Sequence, residues 1–179
     1  MRRYLSHIDP AANPEEAAAA YFAIPAGFPP PPPLVTASAS PGIVELQNRQ
    51  LIHFRNQETL DAEFFAVLRY ILSDRYDAPE CLAFNADLLK RAGGYSEEEL
   101  DGLLREPEHA PLDDAQGALL LFVLDLVRDP GAVREENVAA LREYGFADRD
   151  IFDAASHATF FISAITLHKA FSAKAGEDE

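Results

Sequence analysis

Apolar side chains recur along most of this chain at the three- and four-residue steps of an α-helix. Between residues 60 and 72 they line one face of a single helix: Leu60, Phe64, Val67, Leu68, Ile71 and Leu72. This spacing predicts a helix packed into a core. The same periodicity predicts further helices: Pro41 to about Arg55, Asp113 to about Val127, Glu135 to Tyr144 and Asp148 to about Ser172. Strand-like alternation is absent, so the predicted class is all-α.

Shorter helices are predicted where a polar residue precedes a glutamate by three positions, the pattern of a capping box. The pairs are Asn13 with Glu16, Asp77 with Glu80, and Ser96 with Glu99. The first predicts a helix from Pro14 to about Phe22. The second predicts a helix that Gly93 and Gly94 close. That helix carries Cys81, the single cysteine of the chain, in its first turn.

Residues 24–42 interrupt the helical pattern. Five consecutive prolines, Pro29 to Pro33, favour a polyproline II rod. We interpret the segment as an extended arm over the surface or over a neighbouring subunit, and a ligand for a proline-binding domain is the alternative. The chain then divides into an N-terminal helix and proline-rich arm at residues 1–42, a helical domain at 43–173 and an acidic tail at 174–179.

Charge and composition exclude several classes of protein and partner. The 179 residues are 48% apolar, enough for one core, and 15 basic against 30 acidic residues give a net charge of −15. Nucleic-acid binding needs a basic surface, so this partner is not expected. No apolar run approaches the about 20 residues that span a membrane, and the start does not read as a signal peptide. One cysteine cannot form an internal disulfide. We therefore expect a cytoplasmic protein without membrane partners.

Motifs for metals and cofactors are not found. The histidines form no His-x-x-x-His pair, and the only Glu-x-x-His spacing, Glu106 to His109, lies in a proline-containing segment, so no metal site is expected. No glycine loop opens a helix to bind phosphate, and no cofactor is expected.

Cys81 is the one obvious candidate for a reactive residue. A helix N-terminus favours its thiolate, whereas the neighbouring Glu80 and burial would oppose it.

The order of these elements resembles a known family. An apolar helix opens at Leu60, a cysteine begins the next helix, and then come the segment Asn85 to Leu104, a second apolar helix, the segment Val138 to Ala154 and a phenylalanine-rich last helix. From about Ser38 to Ser172 the chain resembles the AhpD-like alkylhydroperoxidases of the carboxymuconolactone decarboxylase superfamily. This resemblance implies an AhpD-like helical bundle that associates into a homo-oligomer.

The resemblance extends only partly to the active site. Peroxidase members of that family use a Cys-x-x-Cys-x-x-x-His motif and a glutamate as a proton relay. By position, Cys81 matches the second cysteine, while the first cysteine, the histidine and the glutamate fall on Ala78, Asn85 and Ala66. An additional relay histidine of some members falls on Glu80. We expect Asn85, one helical turn after Cys81, at most to donate a hydrogen bond to the sulfur.

Three functions stay open at this point. The first is a family relative that has lost the peroxidase relay and serves as a non-catalytic or repurposed oligomeric binding protein, with a small apolar pocket near Cys81. The second is a one-cysteine alkylhydroperoxidase-like antioxidant oxidoreductase, in which Cys81 reduces a small hydroperoxide and an external thiol recycles it. The third is a lyase or isomerase for a small ring acid, with His157 and Glu80 as acid and base. The predicted pocket residues are Ala66, Ala78, Glu80, Asn85 and His157.

An oligomer is expected from the last helix. It carries more large apolar side chains than one monomeric core usually absorbs: Phe152, Phe160, Phe161 and Ile165. Such an excess is typical of a surface between copies of a chain. The sequence does not indicate how many copies associate.

Overall fold

A computed structural model describes residues 3–172. In this range the chain forms nine α-helices: α1 Pro14–Ala20, α2 Pro32–Ala37, α3 Pro41–Arg55, α4 Ala62–Arg75, α5 Pro79–Leu88, α6 Glu97–Arg105, α7 Asp114–Arg128, α8 Glu135–Glu143 and α9 Asp148–Phe171. The described residues contain no β-strand, so the predicted all-α class is confirmed. None of the described helices has both the length and the apolar character needed to cross a membrane. The predicted acidic tail, residues 174–179, lies outside the described residues.

The chain divides into two compact units. The first, which we call the terminal unit, comprises residues 3–56 and 163–172; the second, the central unit, comprises residues 57–162. Helix α9 contributes residues to both. The predicted boundary between residues 42 and 43 falls inside the terminal unit.

One of the three predicted capping boxes forms. Ser96 Oγ accepts a hydrogen bond from the Glu99 amide at 3.2 Å, and Glu99 Oε2 accepts one from the Ser96 amide at 2.8 Å. The box predicted at Asn13 is wrong, because its side chain caps nothing. The box predicted at Asp77 is also wrong. Asp77 has a φ of 48°, which places it in the tight turn between α4 and α5, so Ala78 becomes the N-cap.

The proline-rich segment is partly helical, which corrects the predicted rod over Pro29 to Pro33. Pro31 has polyproline II geometry, with φ −56° and ψ 142°, but α2 begins at Pro32. Prolines are tolerated in a first helical turn because the amides there have no partner within the helix. Apolar residues of this helix pack with neighbouring elements of the terminal unit in one buried cluster: Ala17, Tyr21, Leu34, Val35 and Val44.

Helix α4 is the centre of the central unit. It packs against α5, α6 and α7. Residues 64–68 and 70–73 are all buried, so the helix is enclosed on nearly every face. Arg69 is therefore a charged residue within two turns of buried side chains, and the predicted core helix from 60 to 72 is confirmed with its start at Ala62.

Helix α5 positions the cysteine. Pro79 is its first residue and Cys81 its third, so the sulfur lies in the first turn as predicted. A π-helical turn, Leu89–Gly93, continues the helix. Gly94 ends it in the left-handed conformation, with a φ of 73°, where glycine has no steric cost.

A buried asparagine on α3 joins this helix to the end of α1 in the terminal unit. Asn48 is completely inaccessible to solvent. Its amide donates to the carbonyls of Ala20 at 2.8 Å and Val44 at 2.7 Å, and its Oδ1 accepts from the Ala23 amide at 3.0 Å. It therefore satisfies the last carbonyl of α1 and the Ala23 amide beyond it, which have no partner within a helix.

Replacing this side chain should destabilise the protein. We expect Asn48→Ala to lower the free energy of unfolding by about 2 to 4 kcal/mol, because it leaves buried donors and acceptors unpaired. The measurement is equilibrium unfolding in urea. Gln50→Ala, on the exposed side of the same helix, is the control and should change stability by less than about 0.5 kcal/mol. Equal losses in the two variants would contradict this account.

Candidate functional site

The sulfur of Cys81 is enclosed by protein. The residue is 1% exposed, and within residues 3–172 its thiol makes no hydrogen bond. Burial, and secondarily the charge of Glu80, raises the pKa of Cys81 to about 12. A helix N-terminus favours a thiolate, but here burial opposes it more strongly. The thiol is therefore protonated at neutral pH.

Asn85 contacts the backbone of Cys81 and not its sulfur. Its Nδ2 donates to the Cys81 carbonyl at 2.8 Å, and its Oδ1 accepts from Arg69 Nε at 3.0 Å. A carbonyl only accepts and a guanidinium only donates, so these partners fix the orientation of the amide. The hydrogen bond to the sulfur, the most that the sequence allowed for Asn85, does not form, and Nδ2 donates to the carbonyl one turn earlier.

His157 completes the arrangement from α9. Arg69 Nη1 donates to its Nε2 at 3.1 Å. Because arginine cannot accept, Nε2 must be unprotonated and the ring proton lies on Nδ1. Burial, and secondarily the Arg69 charge, hold the pKa of His157 well below its ordinary value. The neutral ring also packs against Phe65, with 4.5 Å between ring centroids.

Arg69 is thus the hub of a polar cluster inside the central unit. We call Arg69, Asn85 and His157 the Arg69 cluster. Burial lowers the pKa of Arg69 to about 10, so the guanidinium stays charged at neutral pH. The sequence analysis missed this residue. Its available signal was a single charged position among the buried residues of α4.

The other predicted pocket residues lie on the same helices. Ala66 is buried on α4, one turn before Arg69. Ala78 is buried as the N-cap of α5, and Glu80 is half-buried beside Cys81. The structure joins Asn85 and His157 through Arg69. It relates Glu80 to Cys81 through its charge.

In the described chain, neither a metal-ligand cluster nor the groove along α7 and α8 includes these residues. In the part of the chain that the structure describes, no three His, Cys, Asp or Glu side chains are placed to hold a metal ion. A surface groove of about 360 Å³ lies along α7 and α8. It contains neither Cys81 nor any member of the Arg69 cluster. The predicted apolar pocket near Cys81 stays a prediction.

Two solved structures share this architecture. One is an uncharacterized peroxidase-related protein from Silicibacter sp. TM1040, with 21% identity, a TM-score of 0.67 and coverage of 79% of this chain and 75% of that chain. The other, from Ralstonia eutropha JMP134, is described as an alkylhydroperoxidase AhpD core and an uncharacterized peroxidase-related protein. It has 19% identity, a TM-score of 0.76 and coverage of 98% and 93%. No family model and no curated protein matches the chain.

The protein therefore has the AhpD-like helical fold, as the sequence resemblance predicted. At these identities the likeness concerns the fold, and one fold can support many activities.

The buried histidine should make the protein sensitive to acid. Native His157 has a pKa well below the ordinary 6.5, so below that pH the unfolded chain binds a proton that the native state does not. The stability contributed by the neutral ring is complete above about pH 6.5 and is lost as the pH falls toward the native pKa. Between about pH 7 and pH 5, His157→Gln should therefore lose less stability than the wild type, by up to about 1.4 kcal/mol per pH unit.

Urea unfolding at several pH values measures this slope. His109→Gln, which removes an exposed ring, is the control and should keep the wild-type slope. An unchanged slope in His157→Gln would show that this histidine does not titrate on unfolding.

Proposed function

We propose that this protein does not reduce peroxides and serves as an oligomeric binding protein on an AhpD-like fold, whose ligand site includes the Arg69 cluster. The observation that carries the proposal is the environment of Cys81. Its thiol is buried and protonated, and Asn85, which stands where the resemblance places a histidine base, is engaged by Arg69 and by a backbone carbonyl.

Dithiol peroxide reduction needs groups that this chain does not have. A thiolate attacks the peroxide, releasing water or an alcohol, and becomes a sulfenic acid; a second thiol then displaces water to form a disulfide. Position 78 holds alanine, and Cys81 is the only cysteine in the sequence. A proton must also leave the attacking thiol, and an asparagine at position 85 cannot accept it.

The one-cysteine alternative is disfavoured by the same environment. With a pKa of about 12, on the order of one Cys81 thiol in 10⁵ is ionised at neutral pH. An ordinary cysteine with a pKa of 9.0 would be ionised about a thousandfold more often. The sulfur is also 1% exposed, so an external thiol would have to enter the core to recycle it.

The lyase alternative is disfavoured by the state of His157. A general acid or base needs a nitrogen that can exchange a proton with the substrate. His157 Nε2 accepts a hydrogen bond from Arg69, and its lowered pKa makes the protonated form rare at neutral pH. The ring is better suited to holding the guanidinium than to transferring protons.

Fewer apolar side chains of α9 are exposed for association between copies than the sequence indicated. Phe161 and Ile165 are buried within the monomer. Phe152 is 72% exposed and Phe160 is partly exposed on the same helix. Large exposed aromatic side chains of this kind support association with another copy.

Cys81 should be unreactive in the native protein. We expect an aromatic disulfide reagent at about pH 7 to modify native Cys81 at least about a hundredfold more slowly than the urea-unfolded chain, since thiolate and access are both lost. The native rate should rise with pH. Because the pKa is raised on folding, the native state should also lose stability between pH 9.0 and about 12.

Peroxide consumption with dithiothreitol is measured on the same preparation. Cys81→Ser is the control, and both proteins should match the buffer rate. Rapid modification at neutral pH, or peroxide turnover that disappears in Cys81→Ser, would refute the proposed function.

Association should depend on the exposed face of α9. We expect light scattering to give a multiple of the 19.7 kDa chain mass. Phe152→Glu should lower that mass because a charge replaces an exposed apolar contact. Leu46→Glu makes a comparable change at a side chain that is 59% exposed on α3 and should leave the mass unchanged. A monomeric wild type at micromolar concentration would contradict the proposed oligomer.

A further inference from the structure

Arg69 is a partly buried cation whose side-chain partners among residues 3–172 are all neutral. Its Nε donates to Asn85 and its Nη1 to His157. Because Nε2 of His157 accepts this bond, the ring carries no charge of either sign. Within residues 3–172, no carboxylate forms an ion pair with Arg69, and burial is the only influence on its pKa.

Four exposed arginines of the described chain have a carboxylate partner, unlike Arg69. Exposed arginines pair with carboxylates at 2.7 to 2.8 Å: Arg49 with Glu45, Arg91 with Asp87, Arg128 with Asp125 and Arg142 with Asp148. Arg69 is desolvated, so an opposite charge would stabilise it more than it stabilises these four, yet no such partner lies among residues 3–172. Buried charges in proteins are ordinarily paired, so an anion from outside the described residues would complete the site.

The guanidinium also has N–H groups that no residue in the range 3–172 accepts from. Of its five N–H groups, two are used, one by Asn85 and one by His157. Both groups on Nη2 are unused by residues 3–172. The side chain is only partly buried, so it is not sealed off from an incoming molecule. Asn85 and His157 fix the plane of the fork before any ligand arrives.

The chemistry of the site favours a carboxylate. A planar guanidinium with two parallel N–H groups matches the two oxygens of a carboxylate. The aromatic ring of Phe65 lies against His157, and Ala66 is one turn away on the same helix as Arg69. Such surroundings suit an apolar body better than a phosphate, which needs more donors. The net charge of −15 also repels a dianion more than a monoanion.

We propose that Arg69 anchors the carboxylate of a small monocarboxylic acid with an apolar body, and that Asn85 and His157 are positioning residues for its guanidinium. This inference rests on the proposed binding function and names its ligand class. The bound carboxylate supplies the negative charge that the central unit lacks at this position, and its two oxygens accept from the remaining N–H of Nη1 and one N–H of Nη2.

The test compares benzoate with benzamide, a neutral molecule of nearly the same shape, by titration calorimetry on the full chain. We expect benzoate to bind at least tenfold more tightly than benzamide and than inorganic phosphate. Arg69→Met should weaken benzoate at least tenfold and leave benzamide unchanged. Arg69→Lys, which keeps the charge and loses the fork, should give an intermediate affinity.

Arg49→Met is the matched control, since it removes an arginine that is exposed on α3, and it should bind benzoate as the wild type does. Equal affinities for benzoate and benzamide, equal affinities for benzoate and phosphate, absence of benzoate binding, or unchanged binding in Arg69→Met would each overturn the proposal. The wild-type comparison of benzoate with benzamide decides the question even if Arg69→Met does not fold.

The same preparations separate this inference from the proposed function. Peroxide turnover that depends on Cys81 would refute the proposed function, and the benzoate comparison would still judge the role of Arg69. A protein that is inert toward peroxide and does not distinguish benzoate from benzamide would overturn the carboxylate site alone.

Discussion

One partly buried positive charge joins three helices of the central unit. Arg69 lies on α4 among buried side chains, and its own helix offers no partner for the guanidinium. The partners come from α5, through Asn85, and from α9, through His157. Apolar packing tolerates small shifts, whereas hydrogen bonds to a rigid fork do not. The rotation of α5 and the placement of α9 are therefore tied to this side chain.

The hydrogen bonds of Asn85 also bear on the protonation of Cys81. Asn85 bonds both the Cys81 carbonyl and Arg69, which links the first turn of α5 to α4, and Cys81 is 1% exposed beside it. A helix N-terminus stabilises an anion by about 0.3 to 1 kcal/mol. A rise in pKa from 9.0 to about 12 corresponds to roughly 4 kcal/mol in the opposite direction. Burial therefore decides the chemistry of this thiol, and the position in the helix does not.

What the sequence predicted and what it missed follow from the range of the forces involved. Helical periodicity is local, so α3, α4, α7 and α9 could be predicted to within a few residues. The backbone turn at Asp77 and the helical prolines of α2 depend on packing that a capping pattern does not contain. The partners of Arg69 lie 16 and 88 residues away. The helical periodicity predicts the apolar face of α4 but gives no signal for Arg69 on the same helix.

The two hydrogen bonds of the guanidinium also shape how this protein can change over generations. Losing Asn85 or His157 alone strands a buried donor, and losing Arg69 alone strands both acceptors. Replacing this hydrogen-bonded set during evolution requires either an intermediate sequence of reduced stability or several substitutions at once. The exposed pairs, such as Arg49 with Glu45, carry no such barrier and can drift freely. We therefore expect substitutions at the three positions to be coupled.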